Sequence, residues 1–151
     1  MKIRPARRSD TAVIADFNAR MAWETERRRL DPARVRRGVA ALLRDRAKGI
    51  YFVAEVQRAV VGQLLLTNEW SDWRNGNFWW IQSVYVVPEF RQAGVFRALF
   101  AQVHQLAKSR RGVCGLRLYV DADNIRAQNA YERLGMKRSH YQIFEEDFAR
   151  C

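Results

Sequence analysis

A chain of 151 residues, 48% hydrophobic and 12% aromatic, can bury one core and has the usual size of a single domain, here taken as residues 1–151. Its apolar runs, 60–66 and 79–87, fall well short of the ~20 residues a membrane-crossing helix needs. The opening Met1-Lys-Ile-Arg-Pro-Ala-Arg-Arg also has no secretory apolar region, so the expected location is cytoplasmic, with no membrane partner.

Lys and Arg number 27 against 16 Asp and Glu, a net charge of +11 and a pI near 10.6, which suits a polyanion or a phosphorylated cofactor. The arginines are scattered, however, as Arg7-Arg8, Arg27 to Arg29, Arg36-Arg37 and Arg110-Arg111, the pattern of solvated helix faces. No zinc framework, helix-turn-helix or aromatic RNA-recognition strand is present, so no nucleic-acid partner is expected. The two cysteines, Cys114 and Cys151, have no metal-ligand spacing, and Cys114 is expected to be a small buried hydrophobe rather than a catalytic thiol.

In chain order, a short strand from Lys2 to Arg4 stops at Pro5. Ser9 or Asp10 can cap a helix with Val13, Ile14, Phe17 and Met21 on one stripe. Asp31-Pro32 supplies a cap and a first-turn proline for a second helix carrying Val35, Val39, Leu42 and Leu43, ending near Gly49. The period then shortens to that of strands: 50–56 and 60–67 read as an antiparallel pair, followed by a polar loop, 68–76, holding Trp70 and Trp73. A long strand, 77–87, is stopped by Pro88. A helix over 92–110 buries Phe96, Leu99, Phe100, Val103, Leu106 and Ala107. Strand 115–121, a helix over 124–134 ended by Gly135, and a last strand over 136–145 complete the order β-α-α-β-β-β-α-β-α-β. A β-α-β crossover makes strands 79–87 and 115–121 parallel, whereas the front of the chain pairs by hairpins. The expected class is α/β (α+β), a mixed and mostly antiparallel sheet flanked by helices.

The stretch Ser83-Val-Tyr-Val-Val-Pro-Glu-Phe-Arg-Gln-Ala-Gly-Val-Phe-Arg97 carries the most chemistry: a strand, a stop, a basic turn and a helix start. The first amides of a helix have no partner within it and, with the macrodipole, draw an anion such as a pyrophosphate. Gly94 lets the main chain approach phosphate oxygens, and Arg91 and Arg97 add charge from either side.

Here the chain resembles the GCN5-related N-acetyltransferase (GNAT) superfamily. Its coenzyme A signature is Arg or Gln, two residues, Gly, one residue, then Gly or Ala, after a strand ending in Val-x-Pro. Arg91-Gln-Ala-Gly94-Val95 matches, and Phe96 departs from the last position. A second stretch, Asn124-Ile-Arg-Ala127-Gln-Asn-Ala-Tyr131-Glu-Arg-Leu-Gly135, resembles the family's other motif and places Asn124, Ala127 and Tyr131 along one helix face. The resemblance runs from Ile3 to about Glu145. It implies acetyl-coenzyme A as cofactor, bound through Val84, Val86, Arg91, Gln92, Ala93, Gly94, Val95, Phe96, Arg97, Asn124 and Tyr131, with no metal. It also implies that a strand N–H near Val84 or Val86 polarises the thioester carbonyl, and that Tyr131 protonates the departing thiolate.

An alkyl amine with pKa near ~10.4 is mostly protonated at neutral pH, so a base or a water relay is required. The family has no single base. Glu24, at the end of the first helix, is chosen over Glu26 as base and acceptor ligand, the competing reading being a solvated Glu paired with Arg27 or Arg28. Trp70, Trp73, Trp79 and Trp80 are the other candidates for the acceptor pocket, and at least one of Trp70 and Trp73, beside Glu69 and Asp72, is expected to line its cleft. His104 and His140 lack partners at triad or metal spacing. The expected activity is acetyl transfer by direct attack in a ternary complex, to a small-molecule amine in preference to a peptide amine; a homodimer is compatible with the sequence. The alternatives are a non-catalytic acyl-CoA sensor on the same fold and a basic nucleic-acid-binding domain.

Overall fold

The computed structural model describes residues 1–149, which leaves Cys151 outside the described residues. The elements are β1 (Lys2–Pro5), α1 (Thr11–Glu26), α2 (Pro32–Arg44), β2 (Ile50–Val56), β3 (Ala59–Ser71), β4 (Gly76–Val86), α3 (Val95–Ser109), β5 (Val113–Arg117) and α4 (Ile125–Arg133). The chain divides into two compact units, 1–117 and 118 onward.

In the first unit the five strands lie in sequence order, with β1, β2, β3 and β4 antiparallel in turn and β5 parallel to β4. This is the mixed, mostly antiparallel sheet expected from the hairpins and the single crossover. Ile14 of α1 and Val39 of α2 pack on Tyr51, Val53 and Leu65. Strand alternation sends Gly62, Leu64 and Leu66 to the other face, where a Cβ on Gly62 would meet Val95 of α3. Helices thus cover both faces, and Leu99 and Val103 of α3 are fully buried.

The start of α1 differs from the expected cap. Asp10 makes no side-chain cap on α1; its carboxylate accepts from the Arg7 amide at 2.6 Å. It also takes both guanidinium nitrogens of Arg4, at 2.8 and 3.1 Å. Arg4 donates its Nε to Glu55 at 2.8 Å, tying β1, β2 and the entry to α1 together. Burial, the largest influence on Asp10, acts to raise its carboxyl, and the hydrogen bonds and charge of Arg4 with the Arg7 amide outweigh it and hold the group below the usual carboxylate range. Removing one partner of such a buried pair is costly. Asp10→Ala is expected to lose about 3 kcal/mol and lower the melting temperature by roughly 10 °C at neutral pH. Because the folded value is depressed, the native contribution is complete above the unfolded carboxylate value near ~4 and fades as pH falls through the folded one. The gap between native chain and variant should therefore close in acid; an unchanged melting temperature at neutral pH would show that Glu55 satisfies Arg4 unaided.

Two further expectations need correction. Cys114 is exposed, because it lies on the outer face of the edge strand β5, where alternation sends it away from Val113. β5 is also shorter than expected and ends at Arg117.

In the second unit α4 is capped by Asn124, whose side chain accepts from the Ala127 amide. It closes on Gly135 at φ 92°, with Met136 N–H on the Tyr131 carbonyl and Gly135 N–H on the Glu132 carbonyl, a Schellman ending. The strand expected over 136–145 forms no ladder. Tyr141, Ile143 and Phe144 along it are exposed, and alternation alone does not make a ladder. No helix among the described residues is long and apolar enough to cross a membrane.

Candidate active site

The second half of β4 is built differently from the first. β3 and β4 pair in register from Ser71↔Gly76 to Leu65↔Gln82, and the register resumes at Gln63↔Tyr85, so Ser83 and Val84 together face Leu64. This is a β-bulge, and Ser83 sits at φ 49°, a left-handed conformation unusual for serine. Gln63, fully buried, holds it: its Nε2 donates to the Ser83 carbonyl at 3.1 Å and to Asn18 of α1 at 2.8 Å. Asn18 in turn donates to the Tyr51 hydroxyl at 3.1 Å, and burial pushes that phenol up. The buried Gln63 Oε1 has no partner among the described residues.

Beyond the bulge the main chain opens outward. Val87 N–H bonds Val61 at 3.0 Å and Tyr85 faces Gln63, so strand alternation turns the peptide groups of Val84 and Val86 away from β3. β5 pairs with β4 only from Asn77 to Trp80, which leaves that edge without a β5 ladder at Val84 and Val86. The Val86 carbonyl accepts from Arg91 Nε at 2.8 Å.

The turn into α3 follows at once. A short 3-10 turn, Pro88–Phe90, leads to Gln92 at φ 67° and Gly94 at φ 79°. α2 and α4 spend a side chain on their first-turn amides, but the Gly94 cap makes no side-chain hydrogen bond. The cap residue of α3 therefore offers no side chain to the first-turn amides, and nothing stands within 4 Å of the position a Gly94 Cβ would take. Uncapped donors, open space and a guanidinium at one turn fit a diphosphate. Phe96 packs against Phe100 one turn along, ring centroids 6.1 Å apart. Gly62, opposite Val86, sets how closely α3 approaches: its Cβ would lie 2.8 Å from Val95 Cγ1.

Glu24 reaches this end of the sheet from α1. It accepts from Arg91 Nη2 at 2.7 Å and from the Tyr85 hydroxyl at 3.3 Å, not from Arg27 or Arg28. Arg91 also lies over the Tyr85 ring at 5.4 Å, and Phe17 packs on that ring at 5.0 Å. Burial first, and then the Glu24 charge, raise the Tyr85 phenol. Arg27 and Arg29 instead lie over Trp23, at 5.5 and 5.2 Å. Glu24, Arg91, Val84 and Val86 thus meet at one end of β4. In the second unit, burial raises the Tyr131 phenol, and Asn124 spends its side-chain oxygen on the cap.

Trp70 and Trp73 are not brought to Glu24. Trp70 pairs with Asn77, seven residues of β4 before Val84, or roughly 20 Å along the strand. Both indoles are exposed at the hairpin tip, because β3 and β4 stay paired through 68–71 where a polar loop was expected. His104, on α3, stacks on Phe100 at 5.8 Å. Residues missed in the sequence are Asn18, Gly62, Gln63, Ser83 and Tyr85. Only Gln63 left a signal, a polar residue inside an otherwise apolar run.

Comparison with known proteins agrees with this arrangement. Residues 14–136 match the model of the Acetyltransferase (GNAT) family. A solved structure described as a possible acetyltransferase from Clostridium difficile 630 superposes with a TM-score of 0.92 at 45% identity, over 99% of this chain and 98% of that one. A predicted acetyltransferase with acetyl-CoA from Clostridium acetobutylicum shares the fold, with a TM-score of 0.78 at 14% identity over 96% and 95% of the two chains. The mycothiol acetyltransferase of Kocuria rhizophila is 42% identical over 64 residues, which span 42% of this chain and 20% of that protein. A bulged fourth strand opening beside an uncapped, glycine-led helix, together with a family match over most of the length, places the chain in the GNAT acetyltransferase family.

Proposed function

We propose that this acetyltransferase moves an acetyl group from acetyl-CoA to a primary amine, with a small-molecule acceptor favoured over a peptide. The observation that carries the reading is the pairing of an uncapped α3 N-terminus with outward-facing peptide groups at Val84 and Val86. The amides of Val95, Phe96 and Arg97, with Gln92, Ala93 and Gly94 in the turn, would hold the diphosphate, and the peptide groups of Val84 and Val86 would hold the pantetheine arm. When bound, acetyl-CoA supplies a thioester whose C–S bond breaks as the acceptor nitrogen bonds the carbonyl carbon. A β4 N–H near Val84 or Val86 would stabilise the charge that develops on the carbonyl oxygen. Glu24 is the proposed acceptor of the amine proton, and Tyr131, whose raised phenol keeps its proton at neutral pH, is the proposed donor to the sulfur.

Glu24 and Arg91 hold each other, so the base and the cofactor turn are coupled. In Glu24→Gln, turnover is expected to fall on the order of 10²-fold, whereas coenzyme A affinity holds or tightens because Arg91 is released from its carboxylate. Equal losses of turnover and affinity would make Glu24 a support of the turn and not a base. The activity itself is tested by thiol release from acetyl-CoA across a panel of small amines, polyamines and peptides. Release with a small amine is expected; release only with peptides would reverse the acceptor preference, and none with any amine would favour a sensor.

A further inference from the structure

At the other end of the sheet, on the α3 face, lies a concave surface of about 430 Å³, a size that accommodates small molecules. Leu66 and Trp79 form its floor, and its polar side chains are Asn68, Asn77, Arg46 and Arg110. Asn68 faces Trp79, and Trp70 faces Asn77, so the two amides are diagonal neighbours on one face and can reach a common group. Arg46 arrives on the turn between α2 and β2. That turn lies against β3 because residue 49 is glycine: its φ is 150°, and a Cβ would stand 2.5 Å from the Leu66 carbonyl oxygen. Arg110 ends α3 with its N–H on the Ala107 carbonyl and its guanidinium 5.9 Å from the centre of the Trp79 ring.

Among the described residues no carboxylate lines this surface, and none of its four polar side chains has a hydrogen-bond or ion-pair partner. Two guanidiniums and two amides therefore converge over an apolar floor with their donors unused. We propose that this is a binding site for a small organic anion: a carboxylate or phosphate held by Arg46, Arg110 and the two amides, on an apolar or aromatic body. A guanidinium binds either anion through paired N–H groups. Trp70, two residues beyond Asn68 on the same face and 60% exposed, offers its ring to the body of the ligand. The last carbonyls of α3 oppose an anion there, and Lys108, Arg110 and Arg111 at that end counter them. Trp79 stands seven residues before Val86, roughly 20 Å along β4, so the ligand does not compete with the acetyl-transfer site.

The test titrates the full chain with phenyl phosphate, benzoate and, as a neutral control, phenol, reading amide and indole resonances. One or both anions should saturably shift the side-chain amides of Asn68 and Asn77 and the indole of Trp79, and phenol should not. The anion that binds more tightly identifies the headgroup. Arg46→Glu and Arg110→Glu should each weaken binding about tenfold, the worth of one charge-assisted hydrogen bond, with thiol release from acetyl-CoA unchanged. Asn68→Ala, at an exposed position, should weaken binding and serves as the variant least able to disturb folding. Shifts confined to residues 91–97, equal binding of phenol, or undiminished affinity in all three variants would overturn the proposal. Each of these outcomes is independent of whether the chain transfers acetyl groups.

Discussion

Gly94→Glu is expected to weaken coenzyme A binding on the order of 10²-fold or more, through like-charge repulsion at a helix start and a left-handed conformation forced on a bulky residue. Gly94 stands at φ 79° at the head of α3 and, as the cap residue, offers the first-turn amides no side chain. A glutamate there would carry its own carboxylate to those amides. Gly94→Ala separates the two causes: nothing lies within 4 Å of the added Cβ, so only the backbone strain of about 1 kcal/mol remains, a loss of roughly fivefold. Calorimetric titration of both variants checks this. Equal, large losses would point to strain alone, and full affinity in the glutamate variant would remove the turn from the cofactor site.

Tyr131→Phe should leave coenzyme A affinity intact and lower turnover by about 10² to 10⁴, the range for loss of a general acid. The pH profile adds a signature that packing loss would not produce. Burial raises the Tyr131 phenol, so it keeps its proton to higher pH than a free tyrosine, and the alkaline fall in turnover that it causes should lie above ~10. That limb should vanish in the phenylalanine variant. A variant that turns over at the native rate would exclude Tyr131 as the proton donor.

Much of the scaffold was legible because its signals are local. Asp31-Pro32 predicts a capped helix start, and Asp31 does accept from the Ala33 and Arg34 amides. Gly135 predicts a helix end and forms one. The glycine-led turn before α3 was read from Arg91, Gly94 and the helix that follows, all within one short stretch. What was missed depends on pairing between distant residues. The bulge at Ser83 exists because β3 and β4 lose register opposite Leu64, and no local pattern announces a one-residue slip. Gln63 and Asn18, 45 positions apart, become partners only once α1 lies on the sheet. The place of Glu24 at the end of α1 is legible locally, but its partner, Arg91, is 67 residues away. A polar stretch with turn residues reads as a loop that could bring Trp70 and Trp73 to the acceptor cleft; as a paired hairpin tip it carries them away from Glu24. The strand expected over 136–145 rested on alternation alone, which needs a neighbouring edge to become a ladder.

The most direct measurement is an amide-resolved titration of the chain with coenzyme A. Resonances of Gly94, Val95, Phe96 and Arg97 should move first and most, with those of Val84 and Val86 on the open edge of β4. Saturable binding that leaves these amides unmoved, or that shifts only residues at the opposite end of the sheet, would contradict a cofactor site at the start of α3.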